Sequence, residues 1–156
     1  MLKQILEALN TKVEYNTTKN SSGYNVSITH KEDLIDINFI QYLEDDIDSL
    51  YEITFSRNNE VLTMDLHMNT FEIMGIIKNV IIDFINTHKP NAVFFSSSDD
   101  NSSRIKLYTR LADLISKKGY RTYRLDKDIQ DKDIATFLIY KDDEVLKSIQ
   151  DYYNDV

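Results

Sequence analysis

Apolar residues recur along the first half of the chain with a period of two, which is the spacing of strands with one buried face. The alternation predicts strands over Tyr24–Thr29, Leu34–Tyr42, Leu50–Arg57 and Val61–His67. Asn58 and Asn59, between the last two strands, favour a tight turn. The polar stretch Thr17–Gly23 indicates an exposed loop. The first half is therefore predicted to be an antiparallel meander.

The spacing changes to that of helices in the second half. An almost continuous apolar segment over Phe71–Ile85, with a narrow polar face, predicts a largely buried helix. Asn69 and Glu72 have the spacing of a capping pair at its start. The short apolar run over 91–97 predicts a buried strand. The other predicted elements are a helix within 1–10, a helix over Arg104–Lys118, strands over Tyr120–Leu125 and Ile134–Tyr140 joined by an acidic loop, and a helix within 142–153.

This order of elements predicts a single domain over residues 1–156. Its class is α/β (α+β), with a mixed, mainly antiparallel central sheet of about seven strands flanked by helices. A chain of this length buries a sizeable core without a staple, and it contains no cysteine. No apolar run is long enough to span a membrane, and the first residues lack the apolar core of a signal peptide. We therefore expect a cytoplasmic protein.

The charge of the chain is unevenly distributed. The net charge of −8 argues against general binding of nucleic acid. Residues 104–124 nevertheless contain seven basic residues and one acid, so that a basic helix that binds nucleic acid stays an alternative. Most of these cations share the polar face of the predicted helix, but Arg104 falls on the inward side of its first turn. A cation opposes the helix dipole there, so Arg104 requires an anion, either a buried carboxylate or a ligand phosphate.

Few residues carry candidate chemistry. Tyr108 lies one helical turn from Arg104 on the inward face, where it is either a core tyrosine or a proton donor at a cleft. Ser96–Ser98 end a strand before a helix, but without the flanking glycines of a nucleophile elbow we interpret them as strand-end and cap residues. We predict no metal site, since the acidic clusters lack the spacing of a calcium loop and the histidines lack that of metal ligands. The histidines are His30, His67 and His88.

One combination of elements and residues is more specific. Between Val61 and Tyr140 a strand, a long helix and a second strand are followed by Asn101, a helix containing Leu107-Tyr108, then Gly119-Tyr120 and two strands. This arrangement resembles the GNAT superfamily of acyl-CoA-dependent acyltransferases, and in particular small GNAT-like proteins of tailed bacteriophages. The resemblance implies a GNAT-like fold and an acetyl-CoA site. It implies Gly75, Asn101 and Arg104 as cofactor-binding residues and Tyr108 as the catalytic general acid.

The sequence departs from the family where the cofactor pyrophosphate binds. Family members open the central helix with an Arg/Gln-x-x-Gly-x-Gly/Ala turn, whose backbone N–H groups bind the phosphates. Only Gly75 matches here, while Phe71 and Ile73 add bulk. Glu72 adds a negative charge, which costs on the order of a kcal/mol beside a pyrophosphate. The family's helical insertion between its first two strands is also missing.

These departures lead us to expect a non-catalytic protein with a degenerate acetyl-CoA site and no cofactor. It would bind a protein partner, either another phage structural protein in the virion or a host protein in the cytoplasm. One alternative is an acyl-CoA-dependent N-acetyltransferase with a divergent pyrophosphate loop, which would use acetyl-CoA. The other is an acidic inhibitor of a host factor.

Overall fold

The computed structural model of the protein describes residues 1–44, 47–61, 68–98, 102–116, 119–129 and 132–154. Within these residues the chain forms four helices and eight strands. The elements in chain order are α1 (Leu2–Ala8), β1 (Thr17–Asn20), β2 (Gly23–His30), β3 (Asp33–Glu44), β4 (Ile47–Arg57), β5 (Glu60–Val61), α2 (Met68–His88), β6 (Ala92–Ser98), α3 (Ser102–Ser116), β7 (Arg121–Ile129), β8 (Lys132–Tyr140) and α4 (Asp143–Asn154).

All the described strands belong to one sheet. Seven of them follow the order β1-β2-β3-β4-β6-β8-β7, and β5 pairs with β4 off this path. The pair β4–β6 is parallel and every other pair is antiparallel. The parallel pair follows from α2, because a strand that returns in the same direction needs a crossover connection. The predicted mixed, mainly antiparallel sheet with flanking helices is confirmed.

The sheet has two unlike faces. The larger core packs alternate residues of β2, β3, β4, β6 and β8 against α2 and α3. α1 lies on α2, where Lys78 Nζ donates to Asn10 Oδ1 at 2.9 Å and Asn79 Nδ2 donates to the Thr11 carbonyl at 2.8 Å. On the other face a smaller core around Leu138 and Tyr140 packs against α4. This division leaves the outer face of β2 and β3 to polar side chains, in which Asn25 Nδ2 donates to Asn38 Oδ1 at 2.8 Å.

The predicted loop over Thr17–Gly23 is wrong, because this segment forms β1 and the turn into β2. Asn20 Oδ1 closes the turn by accepting from the N–H groups of Ser22 and Gly23, both at 2.9 Å. A Cβ on Gly23 would lie 1.9 Å from the Phe39 carbonyl oxygen, so the turn requires glycine. β1 was missed because its side chains are all exposed and carry no apolar alternation.

Two other predictions of local structure are corrected. The predicted strand Val61–His67 is paired only at Glu60–Val61, and residues 62–67 lie outside the described part of the chain. The acidic loop predicted between the last two strands is shorter, because β7 runs to Ile129 and β8 starts at Lys132. The remaining strands and the four helices lie where the pattern predicts them, with ends that differ by a few residues. No helix in the described residues is long and apolar enough to cross a membrane.

Candidate active site

The parallel strands β4 and β6 diverge after three residue pairs, the last of which is Glu52 with Phe94. Both strands continue past this point, β4 to Arg57 and β6 to Ser98. In the described part of the chain no strand pairs with the β4-facing edge of β6 over Phe95–Ser98. Backbone N–H and C=O groups along such an edge need other partners. The divergence therefore forms a slot edged with hydrogen-bonding groups.

β5 narrows the mouth of this slot. Arg57 pairs with Ile35 of β3 and also with Glu60 of β5. Since a strand residue pairs on two opposite edges, β5 lies on the edge of β4 that faces β6. The predicted turn at Asn58 and Asn59 is confirmed, and both residues have a positive φ, of 53° and 64°. Among the described residues, the part of this β4 edge that has no strand partner is residues 53–55.

Aromatic rings close the slot on the side of the helices. The Tyr108 ring centroid lies 5.1 Å from that of Phe55 on β4 and 5.6 Å from that of Phe95 on β6. Tyr108 therefore touches both diverging strands, and only 4% of its surface is exposed. Tyr108 was predicted to lie either in the core or beside a cleft, and its buried ring at the edge of the slot fits both positions. The proton-donor role stays a prediction.

A carboxylate that the sequence analysis did not single out lies at the apex of the slot. Glu52 belongs to the last residue pair before the strands diverge, and it alternates with the buried residues Tyr51 and Ile53. Its side chain is therefore on the face away from α2 and α3. The Tyr42 hydroxyl donates to Glu52 Oε1 at 3.3 Å, and the Tyr42 ring lies 5.4 Å from that of Phe94. The alternation of polar and apolar residues along β4 could have identified Glu52 in the sequence, since it places an acid on the outer face of a central strand.

A polar cluster around the buried Asp33 holds the start of α2 against the turns near β4. The Asp33 carboxylate accepts from Arg57 Nη2 at 3.0 Å and from Asn58 Nδ2 at 2.8 Å. It also accepts from Asn69 Nδ2, whose own Oδ1 is buried without a hydrogen-bond partner in the described structure. Hydrogen bonds from Arg57 and then from Asn58 hold the pKa of Asp33 below its usual range, against its burial. We call Asp33, Arg57, Asn58 and Asn69 the Asp33 cluster.

The predicted capping pair of Asn69 and Glu72 is wrong. Asn69 already lies within the helix and its amide is used in the Asp33 cluster. Glu72 instead forms a hydrogen bond with His30 Nε2 and an ion pair with Lys31 Nζ, each at 2.9 Å. Hydrogen bonds from Lys31, then from His30, lower the pKa of Glu72. Glu72 was expected to repel a pyrophosphate, but its neighbours partly neutralise its negative charge.

Of the residues predicted to bind the cofactor, the structure describes the surroundings of Gly75 alone. Gly75 lies two turns inside α2, where a Cβ would come within 2.6 Å of the Ala8 carbonyl oxygen. The close approach of α1 accounts for a glycine there. Asn101 lies outside the described residues, and so does the side chain of Arg104. Their roles as cofactor contacts stay predictions.

The other candidate residues have structural partners. Ser96 Oγ is 2.8 Å from Thr136 Oγ1 within the sheet, in agreement with its interpretation as a strand-end residue. His88 packs on the rings of Tyr24 and Phe84, both at 4.5 Å, and His67 lies outside the described residues. Among the residues that the structure describes, no group of three or more His, Cys, Asp or Glu could hold a metal ion.

Comparison with known proteins gives a result only at the level of structure. No family model matches the sequence, and no curated protein matches it. A mutant of the spermidine N-acetyltransferase SpeG from Vibrio cholerae matches with a TM-score of 0.50 and 11% identity, over 78% of this chain and 68% of that one. A chimera of Vibrio cholerae SpeG and hSSAT matches with a TM-score of 0.44 and 12% identity, over 83% and 67%. The protein has a GNAT-like fold.

This result corrects the main functional prediction. We expected a non-catalytic binding or virion protein without a cofactor, but the solved structure that the chain resembles with a TM-score of 0.50 is a spermidine N-acetyltransferase. Nothing in the comparisons supports a phage, virion or inhibitor role. The described strand that pairs in parallel with β6 is β4, at Ile47–Arg57, and the strand predicted at Leu62–His67 lies outside the described residues. The expected protein partner stays a prediction.

Proposed function

We propose that the protein is an acyl-CoA-dependent N-acyltransferase that transfers an acyl group to an amine. The observation that carries this proposal is the slot between β4 and β6, which opens directly over the Tyr108 ring and has Glu52 at its apex. The slot combines open backbone edges, an apolar wall and a carboxylate within one short stretch of two strands. The GNAT-like fold supports the proposal at the level of architecture.

The slot suits the chemistry of an acyl-CoA. Its pantetheine arm contains amide groups in an extended chain, and the open edges at 53–55 and 95–98 would bind them as a sheet binds an added strand. The aromatic wall of Phe55, Phe95 and Tyr108 would exclude water from the thioester. The ion pair of Glu72 with Lys31 and its hydrogen bond with His30 reduce the repulsion that Glu72 would exert on phosphates near the start of α2.

The chain supplies two groups for the proton transfers of this reaction. Acyl-CoA supplies the activated thioester, whose C–S bond breaks as the amine nitrogen bonds to the acyl carbon. Glu52 accepts a proton from the amine on the outer face of the sheet, and Tyr108 donates one to the leaving sulfur on the side of the helices. The Tyr42 hydroxyl orients the Glu52 carboxylate. Asn101 and Arg104 remain candidates for the phosphate contacts.

The test measures acetyl-CoA binding by calorimetry and thiol release with a thiol-reactive dye, using a panel of amines that includes spermidine. The chain has no cysteine, so the dye detects only the thiol that the reaction releases. We expect Glu52→Gln and Tyr108→Phe each to lower kcat by about 10²-fold, the usual contribution of a positioned acid or base. Tyr108→Phe keeps the ring contacts, so far-UV circular dichroism should not change.

Two exposed residues provide matched controls. Asp113→Asn on α3 and Tyr123→Phe on β7 change an acid and a phenol away from the slot, and both should retain full activity. Absence of acetyl-CoA binding up to about 1 mM, a ligand free energy of only about −4 kcal/mol, would contradict the proposal. Turnover that is equal in Glu52→Gln and the parent protein would remove Glu52 from the mechanism.

A further inference from the structure

A groove lies at the end of α2 that is remote from the slot. It has a volume of about 280 Å³ and runs between the β1–β2 hairpin and the C-terminal half of α2. α2 is 21 residues long, or about 31 Å, and its start lies beside Arg57 at the mouth of the slot. The groove is therefore a separate cavity, and the proposed acyl transfer makes no use of it.

Aromatic rings form one corner of this groove. The Tyr24 and Phe84 rings meet nearly edge to face, with centroids 5.6 Å apart and planes at 68°. The His88 ring lies 4.5 Å from both of them. Phe84 is fixed from behind by stacking on Phe39 at 3.9 Å. Tyr24 and Phe84 both line the groove, so this corner offers an aromatic, apolar surface to the stem of a ligand.

A carboxylate lies on the same wall. Asp83 of α2 lines the groove and accepts from the Tyr15 hydroxyl through Oδ2 at 2.8 Å. In the described structure its other oxygen has no hydrogen-bond partner. The residues Asp83–His88 also form the last part of α2, where the helix dipole favours positive charge. Lys19, exposed on the edge strand β1, is the cation that lines the groove from the opposite side.

We propose that this groove binds a small organic ammonium ion with an apolar stem. The ammonium group pairs with the Asp83 carboxylate near the end of α2, and the stem packs against Tyr24 and Phe84. The same geometry makes Lys19 a competing charge, so the ligand binds against its repulsion. The repulsion between Lys19 and the ligand makes the proposal testable, because removing this exposed lysine should tighten binding rather than weaken it.

The experiment compares n-butylammonium with n-butanol, a neutral molecule of the same shape, by NMR titration of the intact chain at constant ionic strength. We expect saturable butylammonium binding in the millimolar range and at least about tenfold weaker binding of butanol. Asp83→Asn should weaken butylammonium binding by about tenfold. The amide oxygen of that variant still accepts from Tyr15, which preserves the packing. Lys19→Gln should tighten binding about two- to threefold.

Asp113→Asn, an exposed acid on α3, is the control for net charge and should leave the affinity unchanged. Equal binding of butanol and butylammonium would overturn the proposal, as would an Asp83→Asn variant that binds butylammonium normally. Weaker binding in Lys19→Gln would indicate an anionic ligand and would also overturn it. Far-UV circular dichroism of each variant separates these outcomes from a loss of fold. None of these results depends on whether the chain transfers an acyl group.

Discussion

The two ends of α2 carry similar charged groups in opposite surroundings. At its start, Asp33 and Glu72 are each held by several donors, and the carboxylates, amides and cations there largely satisfy one another. At its end, Asp83 accepts one hydrogen bond within the described residues, from Tyr15, and lines a groove. One helix is therefore fixed at one end by a polar network and left accessible at the other.

This difference matters for function because the fixed end lies at the mouth of the slot. Arg57 and Asn58 belong both to the turn that narrows the slot and to the Asp33 cluster. A network that links β3, β4 and α2 keeps this turn in place relative to the strands that diverge. We therefore expect substitutions at the start of α2 to affect stability, and substitutions at its end to affect ligand binding.

The largest effect is expected for Asp33→Asn. The change removes the negative charge beside Arg57 and replaces one acceptor oxygen with an NH2 group, a donor that would face either the donors of Arg57 and Asn69 or that of Asn58. Both members of the ion pair are mostly buried, so the free energy of unfolding should fall by about 2–3 kcal/mol. Urea denaturation of the variant and the parent protein at pH 7 measures this fall in the free energy of unfolding.

The pH dependence of the same variant sharpens this test. The pKa of Asp33 is lowered in the folded protein. The stability that its carboxylate contributes is therefore complete above the unfolded pKa of about 3.9 and is lost as the pH falls through the pKa of the folded protein. Asp33→Asn should therefore lose less stability than the parent protein on acidification. Glu32→Gln, the exposed neighbour, is the control. A change in Asp33→Asn no larger than in this control would contradict the role of the cluster.

Gly75→Ala tests the middle of the same helix. The new Cβ would lie 2.6 Å from the Ala8 carbonyl oxygen and 2.8 Å from the Leu9 carbonyl, both backbone atoms of the overlying segment. We expect a loss of about 1–3 kcal/mol from overpacking, reduced by the better helix propensity of alanine. Gly119→Ala is a matched control with open space around it, but its φ of 96° should cost about 1 kcal/mol.

The Gly75→Ala variant also separates packing from cofactor binding. If the glycine serves only the approach of α1, the variant should bind acetyl-CoA with unchanged affinity while losing stability. A tenfold weaker acetyl-CoA affinity without a change in unfolding would instead support the predicted cofactor contact.

The contrast between the two ends of α2 could be predicted from the sequence only in part. Apolar periodicity located α2, α3 and the long strands because each has one continuous buried face, as in Ile73, Ile77 and Val80. It did not locate β1, whose side chains are exposed, or the pairing of β4 with β6. A period-two pattern states which face of a strand is buried, but not which strand lies beside it.

The site was harder to predict than the fold for the same reason. Tyr108 was found because its helix was found, whereas Glu52 looks like any outward residue until β4 and β6 diverge beside it. The Asp33 cluster joins two turns and a helix that are distant in the sequence. Its members are individually ordinary polar residues, and Asp33 becomes buried only when the sheet and α2 come together.

Glu72→Gln should have a smaller effect than the previous two variants. Glutamine keeps a hydrogen bond but loses the charge that pairs with His30 and Lys31, so we expect a loss of about 1 kcal/mol at neutral pH. The pKa of Glu72 is lowered in the folded protein, and its contribution therefore disappears on acidification below the unfolded value of about 4.3. Denaturation at pH 7 measures the loss of stability, and denaturation at pH 3 tests whether this loss disappears on acidification. An equal loss at the two pH values would show that charge is not the cause.

The smallest effect is expected at the open end, for Tyr15→Phe. Partial burial and then the hydrogen bond to Asp83 raise the pKa of the Tyr15 hydroxyl well above its usual range. The stability that this hydroxyl contributes is therefore complete below its unfolded pKa of about 10. It declines as the pH rises above that value, because the hydroxyl ionises first in the unfolded chain. The variant should match the parent protein closely at pH 7 and lose less stability between pH 9 and 11, measured by urea denaturation. Tyr123→Phe, with an exposed ring on β7, should leave the alkaline dependence unchanged. The Asp33 carboxylate therefore acts at the acid end of the pH scale, and the Tyr15 hydroxyl acts at the alkaline end.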